Sequence, residues 1–108
     1  MDLQKPINLH NFIESHKEQL QKDGRVEIYG APKYSTQVFL YGQGQYKIDA
    51  SEYEVLIWIM VDSEAALEGP NDVSRLMSSS MTICPPQSKH HLEVKQGQAI
   101  TIQMMPKL

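Results

Sequence analysis

Hydrophobic and polar residues along this chain form one stretch of helical period followed by a long succession of short, strand-like runs. Over residues 8–21, Leu9, Phe12, Ile13, His16 and Leu20 recur at three- and four-residue spacing, with Glu14, Lys17 and Glu18 on the opposite side. That spacing predicts one amphipathic helix, N-capped by Asn8 and stopped by Asp23-Gly24. Beyond it the period shortens to two. Residues 25–29, 36–41, 54–61, 81–84, 91–95 and 99–105 are rich in β-branched or aromatic types and read as strands. Their boundaries are the turn signals Gly30-Ala31-Pro32, Gly42-Gln43-Gly44, Gly69-Pro70-Asn71-Asp72, Pro85-Pro86 and Gln96-Gly97. Residues 63–68 and 73–77 add two further candidates. Short strands with turns this dense predict a β-sandwich or a small barrel.

The run 54–61 differs from its neighbours because both of its faces are apolar. Val55, Ile57, Ile59 and Val61 alternate with Leu56, Trp58 and Met60. A strand of this kind is covered on both sides, so one face lines the interior and the other meets a second layer. That layer is either the N-terminal helix or another copy of the domain, and Leu56, Trp58 and Met60 are the candidate interface residues.

Length and composition narrow the classes of function. The 108 residues fit one compact domain, 41% hydrophobic and 21% charged, with a formal net charge of −3. Lysines and arginines are scattered, which excludes a basic stripe for nucleic acid. The single cysteine, Cys84, rules out an internal disulfide and points to a reducing compartment. Met1-Asp2-Leu3-Gln4-Lys5-Pro6 lacks the apolar core of a secretory signal, and the longest apolar run is far too short to span a membrane. A soluble, cytoplasmic protein with neither nucleic-acid nor membrane partners is expected. Cys84 precedes two prolines and reads as a strand-end filler, and Gly42-Gln43-Gly44 reads as a turn because no helix follows it.

Three segments carry a resemblance. Pro6-Ile7-Asn8-Leu9-His10-Asn11-Phe12-Ile13, then Tyr34-Ser35-Thr36-Gln37-Val38-Phe39-Leu40-Tyr41-Gly42-Gln43-Gly44, then Val55-Leu56-Ile57-Trp58-Ile59-Met60, are similar to the C-terminal half of the animal 3-hydroxyanthranilate 3,4-dioxygenases. The similarity runs over nearly the whole chain and is weakest between Glu64 and Ser80. It implies an all-β fold, a single cupin (a double-stranded β-helix, or jelly-roll-like barrel) over residues 25–105 with one N-terminal α-helix. That family's enzyme uses ferrous iron and dioxygen to open the ring of 3-hydroxyanthranilate, on the kynurenine route from tryptophan to quinolinate and NAD. In its animal members the iron sits in the N-terminal cupin, and the C-terminal cupin is a degenerate, metal-free half that packs against it. This chain, carrying only that half, is then either a stand-alone protein or one domain of a longer one.

The resemblance also implies where iron ligands would stand. The catalytic half supplies a histidine, a glutamate six residues later, and a second histidine from a later strand. Here those positions read Lys47, Tyr53 and His90. Read as one strand over 45–55, the alternation puts Lys47 and Tyr53 on a common face and Glu52 and Glu54 on the other. An ammonium repels iron and one histidine holds it weakly, so no catalytic residue, metal ligand or cofactor is expected in this chain. His90 and His91 are adjacent and diverge to opposite faces, which leaves His90 either a relic ligand at the barrel mouth or half of an ordinary strand-edge pair.

Two functions follow. In the first the domain is a non-catalytic cupin that packs against an iron-bearing cupin or against itself as a homodimer. In the second it is a small-molecule module whose emptied barrel takes an aromatic carboxylate, with Lys47, Tyr53 and His90 as barrel-lining polar groups. A third, an iron-dependent ring-opening dioxygenase, requires ligands that the sequence does not show.

Overall fold

The computed structural model describes residues 6–107, so the opening residues 1–5, read above for a signal sequence, lie outside the described part. The predicted helix is present but broken in two: α1 (Leu9–Ser15) and α2 (Lys17–Asp23). Asn8 caps α1 as expected, its side chain accepting the Asn11 N–H at 3.0 Å. The break falls at His16. Its ring Nδ1 donates to the Phe12 carbonyl at 2.8 Å while its own N–H is shared between the Phe12 and Ile13 carbonyls. The side chain thus takes the acceptor on which the backbone ladder depends, and the residue leaves helical geometry. Gly24 then ends α2 with φ +76, a left-handed cap whose N–H reaches the Leu20 carbonyl.

Among the described residues nine strands follow: β1 (Arg25–Gly30), β2 (Tyr34–Tyr41), β3 (Gly44–Asp49), β4 (Val55–Ile59), β5 (Glu64–Glu68), β6 (Val73–Leu76), β7 (Met81–Cys84), β8 (Lys89–Gln96) and β9 (Ala99–Pro106). They form two antiparallel sheets, ordered β1-β2-β9-β4-β7 and β3-β8-β5-β6. This is the double-sheet jelly roll, and the all-β cupin fold expected from the sequence is the one observed.

Two departures from the sequence reading matter. Residues 45–55 are not one strand. β3 ends at Asp49 and β4 begins at Val55 in the opposite sheet, so residues 50–54 cross between layers. The crossing is pinned by hydrogen bonds from Ala50 N–H to the Ser88 carbonyl and from Gln87 N–H to the Ser51 carbonyl. The strand expected over 54–61 also stops at Ile59. Val61 therefore leaves the buried face and is 68% exposed, in a turn where Asp62 takes a left-handed φ of +60.

The packing has two compartments. Between the sheets lies a core that includes Ile48, Val55, Ile57, Ile59, Leu92 and Val94. On the outer face of the five-stranded sheet, Ile13 and Leu20 from the helices press on Val26, Val38 and Ile100, with Trp58 and Met60 at the margin. Each fully buried leucine or isoleucine of this kind contributes about 1.5–3 kcal/mol.

The β8–β9 turn depends on Gly97. Its φ is +74, and an added Cβ would lie 2.8 Å from the Cβ and 3.0 Å from the Cα of buried Ser63. Ser63 Oγ accepts the Gln98 N–H at 2.9 Å, so the serine cannot move without losing that bond. Gly97→Ala is expected to cost about 2–4 kcal/mol, from left-handed strain plus overpacking, read as a lowered denaturation midpoint. Cys84 provides a second test. It is 1% exposed, and burial pushes its thiol pKa up. Its neutral form contributes stability that is present below the exposed-thiol value of about 8.5 and is lost as pH rises through the higher native value. Stability measured between pH 7 and strongly alkaline pH should therefore fall more in the native sequence than in Cys84→Ala; equal slopes would contradict this.

Candidate functional site

Strand parity decides which polar groups face the barrel interior. In β3, Ile48 is buried and lies opposite His90 of β8, while Lys47 lies opposite His91 on the outer, solvated face. Lys47 is therefore exposed and does not line the barrel as the sequence reading expected. The reason is register: the inward positions of β3 are Tyr46 and Ile48, and a one-residue offset reverses every side chain. Tyr53 falls in the crossing segment, where the alternation argument no longer applies. Its ring packs 6.3 Å from that of Tyr34, which sits 6.3 Å from Tyr29, an aromatic trio at the end of the five-stranded sheet.

His90 and His91 diverge as expected. His91 Nε2 lies 3.2 Å from Gln45 Oε1 on the outer face. His90 turns inward, and its Nδ1 is buried without a hydrogen-bond partner among the described residues. The ring fits over Gly69, where a Cβ would come 3.5 Å from His90 Cδ2. Lys47 and His90 do meet at a shallow cleft of about 380 Å3 at this end of the barrel, bordered also by Asp49, Glu68, Lys89 and His91. Acids and bases alternate across its strands, Asp49 opposite Lys89 and Glu68 opposite His91. Such a balanced, solvated face has no excess charge with which to select an anion.

Apart from His90, the polar residues that face inward were not singled out from the sequence. They form a row on β1, β2 and β9. Gln103 Nε2 donates to Thr101 Oγ1 at 2.8 Å, Thr101 Oγ1 donates to the Tyr41 hydroxyl at 3.4 Å, and Gln37 Nε2 donates to Ser35 Oγ at 3.2 Å. Ser35 in turn donates to the Glu27 carboxylate. The signal was the alternation Ser35-Gln37 and Thr101-Gln103 against outward Val38 and Ile100, a barrel wall that is polar inside and apolar beneath the helices. These groups satisfy one another, as buried polar groups must.

Ferrous iron needs imidazole and carboxylate donors converging on one point. Among the described residues no group of three or more His, Cys, Asp or Glu side chains could hold a metal ion. Around His90 the inward position opposite is Ile48, which offers no donor atom. The described residues do not fit the iron of a cupin dioxygenase.

The unpartnered His90 nitrogen yields a prediction. Leaving a buried acceptor or donor unmet costs about 1–3 kcal/mol, so His90→Leu should leave the domain as stable as the native sequence or more stable by up to that amount. Denaturation that shows a loss above about 1 kcal/mol would mean that His90 makes a bond not seen here.

No protein-family model matches the chain. It is 42% identical over 103 residues to the 3-hydroxyanthranilate 3,4-dioxygenase of Caenorhabditis briggsae and 41% identical over 103 residues to that of Caenorhabditis elegans; both alignments cover 95% of this chain. The Rattus norvegicus enzyme is 28% identical over 72% of the chain. This chain spans only 36% of the length of the two nematode relatives. Among solved structures, a Neisseria meningitidis protein superposes with TM-score 0.65 at 14% identity, covering 95% of this chain and all of its own. A cupin-2 domain protein from Shewanella frigidimarina superposes with TM-score 0.61 at 12% identity, over 88% of this chain and 99% of its own. Among the described residues, no helix is long and apolar enough to cross a membrane. The chain is thus a cupin by fold and, over about a third of their length, a homologue of the 3-hydroxyanthranilate 3,4-dioxygenases.

Proposed function

We propose that this domain is a non-catalytic cupin that acts by packing against a second cupin domain, either an iron-bearing one of the dioxygenase type or another copy of itself. In that role it would buttress a 3-hydroxyanthranilate-opening centre rather than form one. The supporting observation is an apolar strip that the helices leave uncovered. On the outer face of the five-stranded sheet, α1 and α2 lie over β1, β2 and β9, and Trp58 and Met60 of the β4 segment border their core. Beyond them, Leu56 lies opposite Ile83 and Trp58 opposite Met81, with Ile83 54% and Met81 62% exposed. Neighbouring exposed apolar side chains of this kind mark an interaction surface.

The homology supports the same reading, since relatives of this sequence are more than two and a half times as long and leave room for another domain. The inward positions near His90 support the absence of catalysis, because they hold Ile48 and a packed apolar core in place of ligands. With added ferrous iron the purified protein should retain substoichiometric metal and open 3-hydroxyanthranilate no faster than free iron does. One iron per chain together with ring opening would overturn the proposal. Leu56→Glu should weaken association with the partner cupin at least tenfold, measured by light scattering or titration, while circular dichroism stays unchanged.

A further inference from the structure

We infer that the partner is a second copy of this chain, joined through the free edge of β7 so that two five-stranded sheets become one continuous sheet across a two-fold axis. This rests on the packing function proposed above and specifies its occupant and geometry. The sheets end in four edge strands, and three of them carry charge: Arg25 and Glu27 on β1, Lys47 and Asp49 on β3, Arg75 on β6. Such charges are the usual protection against edge pairing. β7, Met81-Thr82-Ile83-Cys84, carries none, contains no proline and exposes both of its outward side chains. Among the described residues it pairs with β4 on one side and with no strand on the other.

Hydrogen-bond alternation shows which groups are free. The Ile59 N–H donates to the Ser80 carbonyl, which makes these residues a hydrogen-bonded pair of the β4–β7 ladder. The ladder alternates, so Ile57–Thr82 and Val55–Cys84 are the next bonded pairs. Met81 and Ile83 therefore direct their N–H and C=O groups to the open edge. An antiparallel copy meets them best with Met81 opposite Ile83 of the partner copy and Thr82 at the two-fold axis. That register uses all the free groups of both residues. A shift by two in either direction leaves one of the two residues without a strand partner, and one shift brings in Pro85, which has no N–H.

Charge selects the self-pairing. Joining β7 to β1, β3 or β6 of a neighbour would set a charged row beside Met81 and Ile83, whereas β7 against β7 brings no like charges together. An isologous contact closes as a dimer rather than propagating. It also places Met81 and Ile83 of both copies beside Leu56 and Trp58, making one apolar surface of the two exposed strips.

Light scattering across a concentration series should show a dimer, and Ile83→Lys or Met81→Lys should weaken it at least tenfold with unchanged circular dichroism. Hydrogen exchange should slow at the Met81 and Ile83 amides as concentration rises. Thr82→Cys in a Cys84→Ala background should oxidise to a disulfide-linked dimer, because facing non-hydrogen-bonded residues have Cα atoms about 4.5 Å apart. Met81→Cys in the same background should not, since Met81 faces Ile83 of the other copy. A monomer at every concentration overturns the inference and leaves packing against an iron-bearing cupin standing. A dimer that exchanges the Met81 and Ile83 amides at the monomer rate and is broken by Leu56→Glu overturns the edge geometry while retaining the packing function.

Discussion

The structure is organised around a strand that has to be buried on both sides. Val55, Ile57 and Ile59 fill the space between the sheets, and the same five residues present Leu56 and Trp58 to the back of the sheet. Burying the first set requires a second sheet, and β8 supplies it with Leu92 and Val94. Burying the second requires a layer outside the barrel. The helices provide that layer through Ile13 and Leu20, but they sit over β1, β2 and β9 and reach only the margin of β4. The helix core takes Trp58 and Met60 at its border, and the helices leave the β4–β7 strip beyond it exposed at Met81 and Ile83.

The same constraint bears on chemistry. A cupin that binds iron spends part of its interior on donor groups, whereas this interior is apolar toward β4 and self-satisfied toward β2 and β9. Thr101, Gln103 and Tyr41 bond to one another rather than toward an open cavity. His90 is the exception, an inward imidazole whose partner positions are apolar. Relatives with dioxygenase activity share this sequence over a third of their length, which agrees with a division of labour in which one cupin holds the reacting centre and another holds it in place. Under the proposed packing role the fold is retained where ligands are missing, because packing depends on shape and apolar surface, which survive the loss of a histidine or glutamate.

Charge distribution then separates three charged edge strands from one that carries no charge. β1, β3 and β6 set charged side chains along their rows, and β7 sets methionine and isoleucine. The outer face of the four-stranded sheet follows the same logic, alternating acids and bases such as Asp49 with Lys89, and remains solvated. Its one ion pair among the described residues, Arg75 to Glu64 at 2.8 Å, lies at the surface, and the guanidinium holds the Glu64 carboxyl below its usual range. Pairs this exposed orient strands more than they stabilise them.

Local periodicity was sufficient for much of this. Alternation identified most of the strands, the divergence of His90 from His91 and the two apolar faces of β4, because each depends only on which way successive side chains point; it did not separate β3 from β4, which read as one strand over 45–55. Helical spacing identified the buried stripe of Phe12, Ile13 and Leu20, though not the break at His16, where a ring nitrogen competes for a carbonyl that hydropathy cannot register. The sequence resemblance implied ligand positions at Lys47, Tyr53 and His90, of which the structure turns Lys47 outward and His90 inward. What only the tertiary structure decided was membership and register: that Lys47 and Tyr53 belong to different sheets' ends, that Ile48 rather than Lys47 faces inward, and that β7 ends a sheet among the described residues. Those facts come from pairings between residues tens of positions apart, and no local pattern encodes which strands become neighbours.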